Sequence, residues 1–323
     1  MYLNSEIETN GNEKWGYWKY WESHRNMLMK LVNDEVIGIH NNGDNIAIFG
    51  AGECDDIDLK FLASRFNEVY LIDKDIQAME TGKINQQLTD LENNKITIVG
   101  GFDFAGVSKQ FYVELEEMLS KDQPLKAIIE LIRNEANMLE MPNDLDGLKN
   151  KFSAVLSAAV HSQICNGNYV IFSKYYERYN KKELKEIEEA LKYLYAQAVK
   201  MYNNLLLHVA KTDASLLIAL DMIEISKEAG TLEYLPVITN GIAKVDITAI
   251  TNLVEQHGVL GSVEGQNDMN SRIDFRNFEE YLNEKKIIQN YWVWNFDSQI
   301  AYMMYAYTVH LSILIDYGTG YST

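Results

Sequence analysis

From Asn45 onward, short runs of apolar residues alternate with stretches in which apolar residues recur every three or four positions. N-I-A-I-F (45–49), E-V-Y-L-I (68–72) and K-I-T-I-V-G-G (95–101) are continuous and of strand length. D-L-K-F-L-A-S-R-F (58–66), residues 76–88 and residues 111–121 carry the helical spacing. Strands that are apolar throughout and separated by helices lie buried on both faces of a parallel sheet. Right-handed β-α-β crossovers then give an α/β, doubly wound, Rossmann-like sheet. In front of it, Trp15, Trp18, Trp21, Leu28, Leu31 and Val32 predict an amphipathic helix over residues 13–37.

Behind the third strand the pattern is less regular. Residues 124–141 read as a helix with Pro124 in its first turn, and residues 152–160 as a fourth strand running into a helix. A long helix over 182–211 carries Leu184, Ile187, Leu191, Leu194, Ala198, Met201 and Leu205 on one face. Residues 214–225 form a strand, and the aromatic, β-branched runs 285–296 and 301–315 a closing hairpin whose last strand runs antiparallel. The expectation is seven strands, with residues 1–40 as an N-terminal helical cap and 41–323 as one domain. No internal repeat or linker is visible.

The charge narrows the partners. A net charge of −18 disfavours nucleic acid and anionic membrane surfaces, which need a Lys/Arg surplus. Cys54 and Cys165 are too few for a disulfide framework or a cysteine-rich zinc site. His208, His257 and His310 are isolated, so no metal is expected. The first residues lack the basic and apolar regions of a signal peptide, and no apolar run of about 18 residues occurs. A cytoplasmic protein with a small-molecule partner is the expectation.

The first strand ends on Gly50-Ala51-Gly52, and Glu53, Asp55, Asp56 and Asp58 follow at once. Two glycines between a strand and a helix let a ligand approach the backbone. Asp73, at the end of the second strand, can accept both hydrogen bonds of a ribose diol, or cap the next helix, for which Asp75 is better placed. A dinucleotide site would have glycine at position 55; the acids there repel a pyrophosphate. The cofactor expected at this turn has a ribose, no phosphate and a positive charge, as S-adenosylmethionine does.

I-A-I-F-G-A-G, V-Y-L-I-D-K-D and I-T-I-V-G-G-F-D-F together resemble class I S-adenosylmethionine-dependent methyltransferases over residues 45–105. The resemblance implies that Gly50, Ala51 and Gly52 line the methionine moiety and that Asp73, with Lys74 beside it, holds the ribose. Ile76 would lie against the adenine face, and Asp103, with Phe104, would meet the adenine amino group. Ser157 would close the cofactor side at the end of the fourth strand. Two positions depart from the family: Ile48 replaces the usual acid two residues before the first glycine, and Cys54 the third small residue.

The stretch S-A-A-V-H-S-Q (157–163) lacks the Asn/Asp-Pro-Pro-aromatic sequence of base-modifying amino-methyltransferases. His161 is either a general base or a core histidine. Tyr17, Trp18, Trp21 and Arg25 either box a sulfonium or substrate, or form a buried stripe. Asp221, at the end of L-L-I-A-L, faces substrate or caps a turn. Three readings follow: a methyltransferase acting on an O, N or C nucleophile of a small molecule, a non-catalytic nucleoside-binding protein of the same fold, and an NAD-linked oxidoreductase.

Overall fold

The computed structural model describes residues 16–37, 44–141, 147–164, 166–244, 246–273, 284 and 287–313. Trp15, Cys165 and the outer ends of the expected closing strands (285–286 and 314–315) lie outside the described residues. Seven strands form one sheet in the order β3-β2-β1-β4-β5-β7-β6. They are β1 (Asn45–Phe49), β2 (Glu68–Asp73), β3 (Ile96–Gly100), β4 (Phe152–Ala158), β5 (Ala210–Ile225), β6 (Ile287–Asn295) and β7 (Ala301–His310). β1 to β5 pair in parallel, and β7 lies antiparallel between β5 and β6. This is the fold of class I methyltransferases, including the reversed last strand.

The helices are α1 (Gly16–Tyr20), α2 (Glu22–Leu31), α3 (Leu59–Arg65), α4 (Ile76–Asn85), α5 (Asp90–Asn93) and α6 (Lys109–Ser120), followed by α7 (Leu125–Asn137), α8 (Asn166–Ser173), α9 (Lys181–Val209), α10 (Leu235–Lys244), α11 (Ile247–His257) and α12 (Leu260–Asn270). Asp58, Asp75 and Ser108 start α3, α4 and α6 by accepting from a backbone N–H three residues on. Pro124 stands at the cap position of α7, not inside its first turn. The segment expected as one helix over 13–37 turns at Trp21 and ends in a π-helix, Val32–Ile37.

Two cores flank the sheet. Ala47, Phe49, Ile72, Val155, Ile218 and Tyr305 face helices α6, α7, α9 and α12. Ile46, Ile48, Leu71, Leu156 and Met304 face the other way, with Leu28, Leu31, Val32 and Val36 and the α3 residues Leu59 and Leu62. The alternation along each strand sends successive side chains to opposite layers. Both layers are apolar, so the strands read as unbroken apolar runs.

Candidate functional site

The site begins where β1 ends, at the topological switch between β2-β1 and β4. Gly50 has φ +75, and a Cβ there would come within 2.3 Å of Val160 Cγ2. Gly52 has φ +47, and a Cβ there would meet nothing within 4 Å, so its backbone borders open space. The Gly52 N–H donates to Asp73 Oδ2 at 3.1 Å, and the Asp75 N–H donates to Oδ1 at 3.0 Å. Asp75 itself caps α4 through the Ala78 N–H. The two acids therefore divide the work.

Around Asp73, Ile76 is 51% exposed although apolar. Its side chain lies across Gly100, where a Cβ would fall 1.9 Å from Ile76 Cγ1. Lys74 and Asp103 are exposed, and Asp103 Oδ1 accepts from the Ala105 N–H at 3.0 Å. Phe104 turns inward, with ring contacts to Phe49 and Tyr202 at 5.7 and 5.4 Å.

The acid loop is fixed from three directions. Cys54 is buried with φ 57, and Ile57 and Leu59 are buried beyond it. Asp58 is committed to capping α3. Burial pushes the Asp55 carboxyl up to about 6, helped by Glu53 and opposed by Arg25. Asp56 rises to about 7, again first through burial. Arg25 donates to the carbonyls of Trp18 (2.6 Å) and Asp55 (2.8 Å), and its guanidinium stacks 3.5 Å from the Trp18 ring centroid.

The rest of the cap reaches the other side of the sheet edge. Trp21 Nε1 donates to Phe296 O and Tyr20 Oη to Asp297 O, both at 2.8 Å. Trp21 meets Trp294 edge-on at 4.8 Å, and Tyr17 lies 5.0 Å from Trp21. Tyr17, Trp18, Trp21 and Arg25 are thus brought together, and their partners are each other, the acid loop and the β6–β7 tip.

Past β4 the polar groups are enclosed. Ser157 Oγ shares a 2.8 Å hydrogen bond with Tyr202 Oη, both fully buried. His161 is 0% exposed. Its Nε2 lies 2.9 Å from Asn203 Oδ1, while Asn203 Nδ2 donates to Gly265 O and Asp268 Oδ2. With both Asn203 protons donated, Oδ1 is the acceptor, so His161 carries its proton on Nε2 and Nδ1 has no partner. Burial lowers the imidazole to about 4. The ring fits only because Gly265 faces it, where a Cβ would fall 2.3 Å from Cδ2.

Asp221 does not end its strand. β5 runs on to Ile225 because β7 pairs with it from Ser215 to Ile225, with Asp221 opposite Met304 and a shift of register directly after it. The last β4–β5 pair is Ala158 with Ala219, so Asp221 still lies beyond the end of β4. It is buried, accepts from Ser262 Oγ at 2.9 Å, and burial raises it to about 6. A cleft of about 400 Å³ opens nearby between α8, α9 and the start of α12, lined by Ser162, Tyr169, Tyr195, Leu260 and Gly261.

Sequence reasoning missed Gln86, Tyr202 and Asn203. Asn203 left a signal: it stands four residues after Val199 and three before Leu206, on the apolar face of a long helix. Gln86, a polar residue just after a helix, left none. No helix among the described residues is long and apolar enough to cross a membrane, and none of their His, Cys, Asp and Glu groups could hold a metal ion.

No family model and no curated relative matches the chain. Solved structures do. A chain of the complex between the Haloferax volcanii Trm112 methyltransferase activator and a putative methyltransferase is 9% identical, with TM-score 0.34 over 64% of this chain. This chain spans 57% of that one. The YcgJ protein from Bacillus subtilis is 8% identical, with TM-score 0.35 over 89% of this chain and 97% of its own. A putative methyltransferase from Bacillus halodurans C-125 is 8% identical, with TM-score 0.33 over 88% and 96%. At such scores the strand order, not the superposition, carries the fold.

Proposed function

We propose that the chain is an S-adenosylmethionine-dependent methyltransferase acting on a small-molecule acceptor through an O, N or C nucleophile. The observation that supports it best is the joint hold on Asp73 by the Gly52 and Asp75 N–H groups. A carboxylate has about four lone-pair positions. Two are filled here, one on each oxygen, which leaves the others for a ribose diol. In the Gly50-Ala51-Gly52 turn, Gly52 offers bare backbone to the amino-acid end, and Asp55 in place of a third glycine disfavours a pyrophosphate.

S-adenosylmethionine, when bound, supplies a methyl group made electrophilic by its sulfonium. The residues of the chain bind and orient it: Asp73 and Lys74 at the ribose, Ile76 over Gly100 at one adenine face, and Asp103 and Phe104 at its edge, while the fully buried Ser157–Tyr202 pair supports the site from beneath without touching the ligand. Residues 1–40 act as a cap on the 41–323 domain, with Tyr17, Trp18, Trp21 and Arg25 excluding water from the crevice. The acceptor approaches from the side of Asp221 and the 400 Å³ cleft. Rate then comes from alignment rather than from a protein base.

A second reading, a nucleoside-binding protein without chemistry, is favoured by one observation: His161, the candidate base, is fully buried and depressed to about 4. Calorimetry separates the readings. Wild type is expected to bind S-adenosylhomocysteine and not NAD, and Asp73→Ala to lose about 1–3 kcal/mol of that affinity. Unchanged affinity in a folded Asp73→Ala protein removes the assignment. Methyl transfer to hydroxyl and amine acceptors decides between enzyme and binder.

A further inference from the structure

Gln86 stands just beyond the C-terminal end of α4, 6% exposed. Its Oε1 accepts from the Leu59 N–H at 2.8 Å, and its Nε2 donates to Cys54 O at 3.0 Å and Ile57 O at 2.8 Å. One buried amide thus uses both donors and an acceptor on a single loop, the one that leaves the glycine turn. The loop is continuous with that turn: the Cys54 N–H donates to Ala51 O and the Ile57 N–H to Cys54 O. A second contact fixes the same loop. At Gly82, one turn back on α4, a Cβ would fall 2.3 Å from Glu53 O. Cys54 holds a positive φ in this loop, a conformation that a non-glycine residue keeps only where its surroundings impose it.

At its other end, α4 begins at Ile76 behind its cap Asp75, two residues after Asp73. We infer that Gln86 is a positioning residue: Gly52 is tied to Asp73 directly, and Gln86, at the far end of α4, fixes the loop 53–59 that continues from the glycine turn, and so the amino-acid end of the site for an adenosyl ligand bearing such a tail. The inference rests on the cofactor reading proposed above. α4 spans ten residues, or about 15 Å of helix. Its first turn belongs to the adenosine end of the crevice, and its last turn, with Gln86, holds the loop at the amino-acid end. Loss of Gln86 leaves the first end intact and frees the second.

The test uses two probes on the full chain. S-adenosylhomocysteine engages both ends, whereas 5′-methylthioadenosine has the adenosine part and no amino-acid tail. Gln86→Met keeps the volume and removes all three hydrogen bonds. The expected result is an S-adenosylhomocysteine affinity lower by about tenfold or more, with methylthioadenosine changed by less than about twofold. A residue that merely supports the fold would lower the melting temperature and leave the ratio of the two affinities unchanged. Should Gln86→Met fail to fold, Gly82→Ala presses on the same loop through Glu53 O and is expected to shift the ratio the same way. Equal weakening of both probes, or no weakening, overturns the inference while leaving the cofactor reading standing. If wild type binds neither probe, the cofactor reading itself falls, and the inference with it.

Discussion

The carboxyl edge of the sheet has two halves, and they treat polar groups in opposite ways. Over β1, β2 and β3, Asp73, Lys74 and Asp103 remain at least partly open, and the hydrogen bonds that hold Asp73 and Asp103 come from backbone N–H groups. Over β4 and β5, Ser157, His161, Asn203 and Asp221 are buried, and their side-chain partners are mostly other side chains. A carboxylate anchored by backbone keeps lone pairs within a ligand's reach; in the enclosed network even the unpartnered His161 Nδ1 is shut away from solvent. The first half leaves its acceptors open, and the second encloses them. A pattern of charged and polar residues at strand ends does not distinguish the two.

The sharpest way to break this contrast is Asn203→Leu, which orphans His161 Nε2 and Gly265 O in a buried setting and takes one donor from Asp268 Oδ2, leaving it Arg272. It is expected to cost about 3 kcal/mol or more of stability while leaving S-adenosylhomocysteine affinity nearly unchanged, as read by urea denaturation and calorimetry. A matching loss of affinity would tie the enclosed half to binding.

Acid titration probes the same half. His161 is depressed to about 4 from an ordinary value near 6.5, so below 6.5 the unfolded chain takes up a proton that the folded chain refuses. Its contribution is present above pH 6.5 and is lost between 6.5 and 4, up to about 3 kcal/mol. Asp221, raised to about 6, titrates with the opposite sign: the folded state favours its protonated form, so acidification from 6 towards 4 stabilises. His161→Gln removes the His161 part alone, while Asp55, Asp56, Asp221 and the buried His24, lowered to about 3, keep theirs in both proteins. The stability gap between wild type and variant should therefore shift against wild type as pH falls from 7 to 4.

Two glycines of one turn sharpen the open half. Gly50→Ala meets both a positive φ and Val160, and is expected to cost about 2–3 kcal/mol. Gly52→Ala meets only the φ penalty, about 1 kcal/mol, because its surroundings are open. The second variant should instead show its effect in ligand affinity. The smallest effect belongs to the cap: Tyr20→Phe removes an exposed bond to Asp297 O and is expected to change stability by about 0.5 kcal/mol or less. Faster hydrogen exchange of residues 17–21 in this variant would mark the cap as a separately opening unit.

The sequence by itself determined the sheet and its order of construction. Strands buried on both faces must be apolar at every position, and the helices between them must repeat at 3.6, so the alternation from Asn45 to Gly100 is readable without coordinates. It also determined the Gly50–Gly52 turn and marked Asp75 as the better placed cap of the following helix, since these are local matters of backbone conformation and capping. Only the tertiary structure decided which polar residues are enclosed. His161 and Asp103 look alike as polar residues after strands; α12, with Gly265 at its facing position, covers the first and leaves the second exposed. Only the fold brought Gln86 against Cys54, Ile57 and Leu59, 27 to 32 residues away in the chain. A residue's environment depends on what packs against it from a distance, and periodicity along one segment carries no record of that.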